Sequence, residues 1–135
     1  MEHRIRSSFA KQSMMQTLGA EIESVAEGEV VITAPILPGS RQQHDVAHAA
    51  LSFAIGDTAA GYAALSKMPA DSEVMTAEMK INLLAPGAGE HLRATGKVIK
   101  PGRRLVIVTA EVHAVSGEDE KLIAILQGTM VPVSA

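Results

Sequence analysis

The sequence predicts an α+β domain in which a curved antiparallel sheet of about six strands wraps around one long central helix. Three observations lead to this prediction. One long segment is rich in alanine and free of proline, as a stable helix requires. Strand-forming segments stand before and after it, and short turns separate most of them. Parallel neighbours would each need a long crossover connection, so these short turns predict antiparallel pairing.

The first part of the chain predicts one short helix and a hairpin. Residues 9–18 carry apolar side chains at roughly helical spacing. Residues 22–25 and 30–33 contain β-branched side chains, and a Glu-Gly pair between them is typical of a tight turn. The polar stretch 35–45 has no sustained period of either kind, which predicts a loop rich in hydrogen-bonding groups.

Residues 47–68 predict the long helix. Four large side chains fall on one narrow face at 3.6 residues per turn: Leu51, Ile55, Tyr62 and Leu65. Small residues occupy many other positions and allow a sheet to approach closely from several sides: Ala54, Ala59, Ala60, Gly61, Ala63 and Ala64.

The last part of the chain predicts four strands. Residues 74–83 alternate with a period of two, which indicates a strand with one face exposed to water or used for function. One face carries Met75, Ala77, Met79, Ile81 and Leu83, and the other carries Val74, Thr76, Glu78, Lys80 and Asn82. Further strands are predicted at residues 91–100, 104–115 and 121–133, divided by a Pro-Gly pair and by a polar Ser-Gly-Glu-Asp turn.

Composition limits the range of functions. The 135 residues, 47% hydrophobic and 20% charged, suit a single domain spanning residues 1–135. A net charge of −3 and an aromatic content of 2% provide neither a basic surface nor base-stacking rings, so we expect no nucleic-acid partner. The absence of cysteine removes disulfides, thiolate metal sites and a cysteine nucleophile.

Signals for export or membrane insertion are not expected either. The N-terminal residues lack an apolar core, and the longest apolar stretch is interrupted by Asp57. A cytoplasmic location without membrane association is therefore the default expectation.

Asp57 is the leading candidate for chemistry. Its helical neighbours at three and four residues are Phe53, Ala54, Ala60 and Gly61, none of which can pair with or solvate a charge. The structural interpretation is that Asp57 meets solvent or bonds a neighbouring backbone group. In the functional interpretation, partial burial raises its pKa and frees it to act as general base toward water or as nucleophile toward a carbonyl.

The start of the same helix can activate an electrophile. Unpaired N–H groups near His48, Ala49 and Ala50 form a partly positive end suited to a developing oxyanion. Ala49 and Asp57 are eight residues apart, or roughly 12 Å along a helix, so one carbonyl cannot touch both within a subunit. Antiparallel helices from two subunits would bring them together, so this function requires a homodimer.

Three segments of the sequence resemble a known protein family. Residues 42–64, QQHDVAHAALSFAIGDTAAGYAA, resemble the loop-and-helix signature of PaaI-like thioesterases of the hotdog superfamily. Residues 80–112, KINLLAPGAGEHLRATGKVIKPGRRLVIVTAEV, and residues 124–129 are similar to that family too. The resemblance implies a hotdog fold and an enzyme that hydrolyses an acyl-CoA thioester to a carboxylic acid and CoA, without a cofactor or metal.

The resemblance also implies roles for individual residues. Asp57 matches the catalytic carboxylate, His48 the histidine before the helix, and Ala49 the residue whose N–H polarises the thioester carbonyl. Glycines that often follow this histidine are replaced here by Ala49 and Ala50, which crowds the approach of substrate. Gln42 stands where the family often has an asparagine and keeps the amide chemistry with a longer reach.

Three further residues are candidates on the same basis. The Thr76 hydroxyl corresponds to a hydroxyl that helps to hold a water molecule in some members of the family. Arg103 and Arg104 stand where the family often has basic residues, and guanidinium groups suit CoA phosphates. A purely structural interpretation is that both arginines are merely solvated at the start of a strand.

Three competing functions stay open from the sequence. His44 and His48 superficially resemble a zinc-binding His-Glu-x-x-His helix, but the acid is Asp45 and no third ligand is evident. A hotdog hydratase or dehydratase would act on enoyl thioesters with the same kinds of residue. A non-catalytic acyl-CoA-binding module would keep the pocket without turnover. Nothing in the sequence chooses between a dimer and a tetramer or fixes the preferred acyl group.

Overall fold

Six strands form one antiparallel sheet against which a 17-residue helix packs, in a computed structural model that describes residues 1–135. The elements in chain order are α1 (Glu2–Phe9), α2 (Ser13–Thr17), β1 (Glu21–Ala26), β2 (Glu29–Pro35), a 3-10 turn (Pro38–Ser40), α3 (Ala49–Leu65), β3 (Ser72–Leu83), β4 (His91–Lys100), β5 (Val106–Ser116) and β6 (Asp119–Ser134). The predicted α+β architecture and strand order along the chain are confirmed.

The sheet order is β1-β2-β4-β5-β6-β3, and every neighbouring pair is antiparallel. The chain passes through α3 between β2 and β3, so β3 reaches the far edge and pairs only with β6. Its other edge therefore presents 12 residues of backbone without a strand partner in this chain.

Helix α3 lies across the sheet and forms the centre of the core. The large side chains of its predicted face, Leu51, Ile55, Tyr62 and Leu65, are all buried. The small residues permit the expected close approach: a Cβ at Gly96 in β4 would lie 2.4 Å from the Ala59 carbonyl carbon and from the Ala60 nitrogen. At this crossing the helix and the strand touch backbone to backbone. The chain has no helix that combines the length and apolar character needed to cross a membrane.

The predicted single helix at residues 9–18 is wrong. Within this range the structure has only the short helix α2, and α1 precedes it, beginning at Glu2 and ending at Phe9. Contacts with distant residues stabilise α1: Ile5 is fully buried, and the Arg4 guanidinium donates to the backbone carbonyls of Met68, Pro69 and Ser72. A local helical period cannot reveal such contacts.

The uninterrupted alternation predicted for residues 74–83 is also wrong. A β-bulge between Thr76 and Glu78 shifts the register with β6, so Ala77 is an extra residue. Val74 packs against the core before the bulge, whereas Met79 does so after it. Met75 consequently stays exposed although the alternation groups it with Met79.

Candidate active site

Asp57 lies in the middle of α3 and is half-buried. The Thr76 hydroxyl donates to Asp57 Oδ1 at 2.8 Å, and no basic side chain forms an ion pair with the carboxylate. Burial raises the pKa of Asp57 above the ordinary aspartate value, and the hydrogen bond from Thr76 opposes this rise. The structure thus brings two of the predicted residues together around an acid without a cation.

A cavity of about 200 Å³ opens beside this carboxylate, and we call it the carboxylate cavity. Elements α1, α3 and β3 line it, together with Gln12 between α1 and α2 and Met130 of β6. The Tyr62 hydroxyl accepts a hydrogen bond from Gln12 Nε2 at 2.7 Å and lies 2.9 Å from Ser8 Oγ. The N-terminal helices therefore form one wall next to Asp57 and are held there by a polar network.

The start of α3 is fixed by His48, which is its N-cap residue. His48 Nδ1 accepts a hydrogen bond from the Ala50 N–H at 2.8 Å, and the His48 carbonyl accepts one from the Leu51 N–H at 2.9 Å. The Ala49 N–H has no hydrogen-bond partner in the chain. Of the three N–H groups predicted at the helix start, that of His48 donates to the Ser40 carbonyl and that of Ala50 to the His48 ring, whereas that of Ala49 is free.

A second cavity of about 290 Å³ adjoins this helix start, and we call it the helix-start cavity. Gln42, His48, Ala49 and Ser52 supply its polar part, and the remaining walls are mostly apolar side chains from the neighbouring loops, β3 and β6. The Gln42 Oε1 accepts a hydrogen bond from the His44 N–H, so its amide nitrogen keeps both protons available.

The two cavities share no residue. The structure brings Asp57 and Thr76 together in the first, and Gln42, His48 and Ala49 together in the second. One chain therefore holds the acid and the free N–H at separate places along α3, as their eight-residue separation predicts.

The remaining predicted residues lie elsewhere. Arg103 and Arg104 are exposed in the β4–β5 connection and line neither cavity. A larger cavity of about 590 Å³ on the outer face of the sheet contains none of the predicted site residues. No three His, Cys, Asp or Glu side chains are grouped so as to hold a metal ion, which includes the surroundings of His44 and His48.

Sequence reasoning missed several residues of these cavities. The sequence favours core packing over a place in the pocket wall for Tyr62, and the residue is buried, but its hydroxyl belongs to the polar network with Ser8 and Gln12 beside Asp57. No local pattern indicates that network because its partners are far apart in the chain. Ser52 did carry a signal, since it is a polar residue within an otherwise apolar part of the helix.

The fold and the site together define a class of protein. An antiparallel sheet packed around one central helix is the hotdog fold. The helix carries an acid without a cation at its middle and a free N–H at its start, which are groups suited to attacking and polarising a carbonyl. The chain belongs to the thioesterase superfamily, whose family model matches residues 44–121.

Individual relatives agree with this assignment. The acyl-coenzyme A thioesterase PaaI of Escherichia coli (strain K12) is 27% identical over 121 residues, which cover 89% of this chain and 82% of that protein. A thioesterase family protein from Silicibacter pomeroyi is 36% identical, with a TM-score of 0.97 and coverage of 99% and 98% of the two chains.

The E. coli PaaI protein from the phenylacetic acid degradation operon shares the fold. Its structure has a TM-score of 0.85 at 24% identity, covering 96% of this chain and 91% of that chain. The prediction of a PaaI-like thioesterase with the hotdog fold is confirmed.

Proposed function

We propose that this protein hydrolyses an acyl-CoA thioester to a free carboxylic acid and CoA, with Asp57 of one subunit and the Ala49 N–H of its partner acting on the same carbonyl. The observation that carries the proposal is the half-buried Asp57 carboxylate, which has a raised pKa and no cation. Membership of the thioesterase superfamily and similarity to the acyl-coenzyme A thioesterase PaaI support the substrate class.

Asp57 acts either as general base or as nucleophile. On the general-base route it removes a proton from water while the water oxygen bonds to the carbonyl carbon. The carbonyl oxygen becomes an oxyanion, which the Ala49 N–H stabilises. When the carbonyl re-forms, the C–S bond breaks, and the departing CoA thiolate takes the proton from Asp57.

On the nucleophilic route an Asp57 oxygen bonds to the carbonyl carbon first, the thiolate leaves, and water then cleaves the resulting anhydride. The Thr76 hydroxyl occupies Oδ1 and leaves Oδ2 free for either role. A single turnover in ¹⁸O-water separates the routes, because labelled oxygen enters the Asp57 carboxylate only when an anhydride forms.

The residues at the helix start orient the substrate. Because His48 Nδ1 accepts from the Ala50 N–H, the neutral ring carries its proton on Nε2 and offers a donor to the substrate. The free amide protons of Gln42 provide a second donor in the same cavity. Arg103 and Arg104, exposed and without an ion-pair partner, suit the CoA phosphates.

The homodimer forms through the free edge of β3. This edge is long and ends a six-stranded sheet, and Met75 on the same strand is an apolar side chain with 57% exposure. Antiparallel pairing of two such edges gives a two-fold axis and sets the two α3 helices antiparallel. Each carboxylate cavity then faces the helix-start cavity of the partner.

A thiol-release assay over short, medium and aromatic acyl-CoAs tests the proposal, with Asp57→Asn as the control. We expect Asp57→Asn to lower kcat by at least about 1,000-fold while circular dichroism stays unchanged, because amide nitrogen can neither accept the proton nor attack. Unchanged turnover in this variant would contradict the proposal.

Two other results of this assay would replace the proposed hydrolase function with a different one. Addition of water to a 2-enoyl-CoA without release of thiol would identify a hydratase. Saturable binding of acyl-CoA with no turnover of any kind would identify a binding module.

A further inference from the structure

Ser52 is a buried residue whose hydroxyl has no hydrogen-bond partner in the chain. The residue is 3% exposed and lies in the first turns of α3. Other hydroxyls of this helix region bond back to the preceding turn: Thr58 Oγ1 donates to the Ala54 carbonyl at 2.7 Å, and Ser66 Oγ donates to the Ala63 carbonyl at 2.6 Å. Ser52 makes no such bond, so its proton is available.

The Ser52 hydroxyl faces the helix-start cavity. Ser52 lines that cavity beside Ala49, His48 and Gln42. No polar side-chain atom in the protein is both fully enclosed and unpaired, so the unpaired Ser52 Oγ must reach the accessible space that it lines. A buried hydroxyl in a mostly apolar cavity gains most from a ligand that supplies its missing partner.

The position of Ser52 relative to Ala49 indicates which ligand atom it meets. Residues three apart in a helix are neighbours on one face, and helical side chains point back toward the N-terminus. The Ser52 hydroxyl is therefore directed toward the free N–H of Ala49. The next two N–H groups, those of Ala50 and Leu51, are engaged by His48 and cannot assist.

We propose that the Ser52 hydroxyl donates a hydrogen bond to the same thioester oxygen as the Ala49 N–H and is the second donor to the oxyanion. The inference rests on the proposed hydrolase function and deepens it. Negative charge grows on this oxygen when the carbonyl carbon is attacked, so two donors directed at it stabilise the transition state more than the ground state. Ser52 is thus a catalytic residue in the sense that it touches the reacting carbonyl.

Ser52→Ala tests this role in the full-length protein. We expect kcat to fall about 100-fold and KM to rise by no more than about 10-fold, because the lost donor acts more strongly on the oxyanion of the transition state than on the ground-state carbonyl. The melting temperature should stay the same or rise, since the removed hydroxyl has no partner in the folded chain. Unchanged kcat, or a lower melting temperature that accounts for the lost activity, would overturn the inference.

Two non-hydrolysable CoA analogues sharpen the test. One replaces the thioester sulfur by CH₂ and keeps the carbonyl as a ketone, whereas the other is an S-alkyl thioether without a carbonyl. Ser52→Ala should weaken binding of the ketone about 10-fold and leave binding of the thioether unchanged, because only the ketone has the oxygen that Ser52 contacts. Equal weakening of both would assign Ser52 to packing and overturn the inference.

Ser40→Ala is the matched control. Ser40 is 7% exposed and likewise buried, but it lines a different cavity, on the Ala50 side of the helix start. This variant should not distinguish the ketone from the thioether, and if it does, the selectivity does not belong to Ser52. A wild-type protein that hydrolyses no thioester would refute the proposed function itself, whereas an active wild type with an unaffected Ser52→Ala would refute only this inference.

Discussion

Burial and, in the opposite direction, the hydrogen bond from Thr76 set the pKa of Asp57, the candidate catalytic group. Burial favours the neutral acid, so the carboxylate that either route needs is lost as pH falls through the raised pKa of Asp57. The folded chain holds this proton more tightly than the unfolded chain. Asp57 therefore makes folding less favourable as pH rises from the unfolded pKa of 3.8 through the raised folded pKa.

Thr76→Val should move the acid limb of the pH profile to higher pH. The hydrogen bond from Thr76 lowers the pKa of Asp57, so its removal leaves burial unopposed and raises that pKa further. Valine matches threonine in shape, and kcat/KM measured against pH checks the shift. An acid limb at the same pH in both proteins would contradict the assigned role of Thr76.

The start of α3 offers a way to remove one N–H without altering a side chain that contacts substrate. Ala49 is the first helical residue, where proline is well tolerated, and its N–H has no partner to lose. His48 before it has φ −65° and ψ 143°, a conformation that a residue before proline readily adopts. The backbone at this position is therefore already arranged for proline.

Ala49→Pro should reduce kcat about 100-fold, because it deletes the proposed backbone donor to the oxyanion. The free energy of unfolding should stay within about 1 kcal/mol of wild type. Thiol release and urea unfolding measure the two quantities. Ala49→Gly, which keeps the N–H, should retain activity, and a folded Ala49→Pro enzyme with full turnover would refute the role of this donor.

At the level of elements, the sequence predicted the helices and strands correctly wherever the local pattern and the tertiary packing agree. The strand ends differ from the predicted ones by at most two residues, and the helix containing Asp57 lies where alanine content and the absence of proline place it. The sequence did not predict the bulge at Ala77, because the small alanine side chain is compatible with either the buried or the exposed face of an alternating strand. That bulge separates the half of β3 containing Thr76 from the half that packs Met79 into the core.

The candidate site was predictable only in part. Asp57 stood out because its helical neighbours cannot neutralise a charge, the N–H groups near His48 and Ala49 followed from their place at the helix start, and Gln42 came from family resemblance. The roles of the Ser52 and Tyr62 hydroxyls were not predicted, because they depend on which groups lie beside these hydroxyls in space. Periodicity identifies the face on which a side chain lies, but it does not identify the distant atoms that the side chain meets.

At the level of the whole molecule, each active centre of the proposed homodimer combines the carboxylate cavity of one subunit with the helix-start cavity of its partner. A dimer of Asp57→Asn chains lacks both acids, and a dimer of Ala49→Pro chains lacks both backbone donors. In a mixed dimer one centre carries both defects, whereas the other combines Asp57 of one chain with Ala49 of its partner and is intact.

Co-expression of Asp57→Asn with Ala49→Pro should therefore restore activity that neither variant has alone. Random pairing makes half of the dimers mixed, each with one intact centre, so about a quarter of wild-type thiol release should return. Co-expression of Asp57→Asn with a chain carrying both substitutions is the negative control, since no acid is then present. Absence of recovery in the first mixture would place the whole active centre within one chain.

The crossing of α3 over β4 links the sheet to this chemistry. Gly96 touches the peptide group between Ala59 and Ala60, which lies within one helical turn of Asp57. Even a methyl group on the strand would push the helix away at this point and move the carboxylate relative to Thr76. Under the proposed function, we therefore expect a larger residue at Gly96 to lower turnover as well as stability, although Gly96 is buried and lines neither cavity.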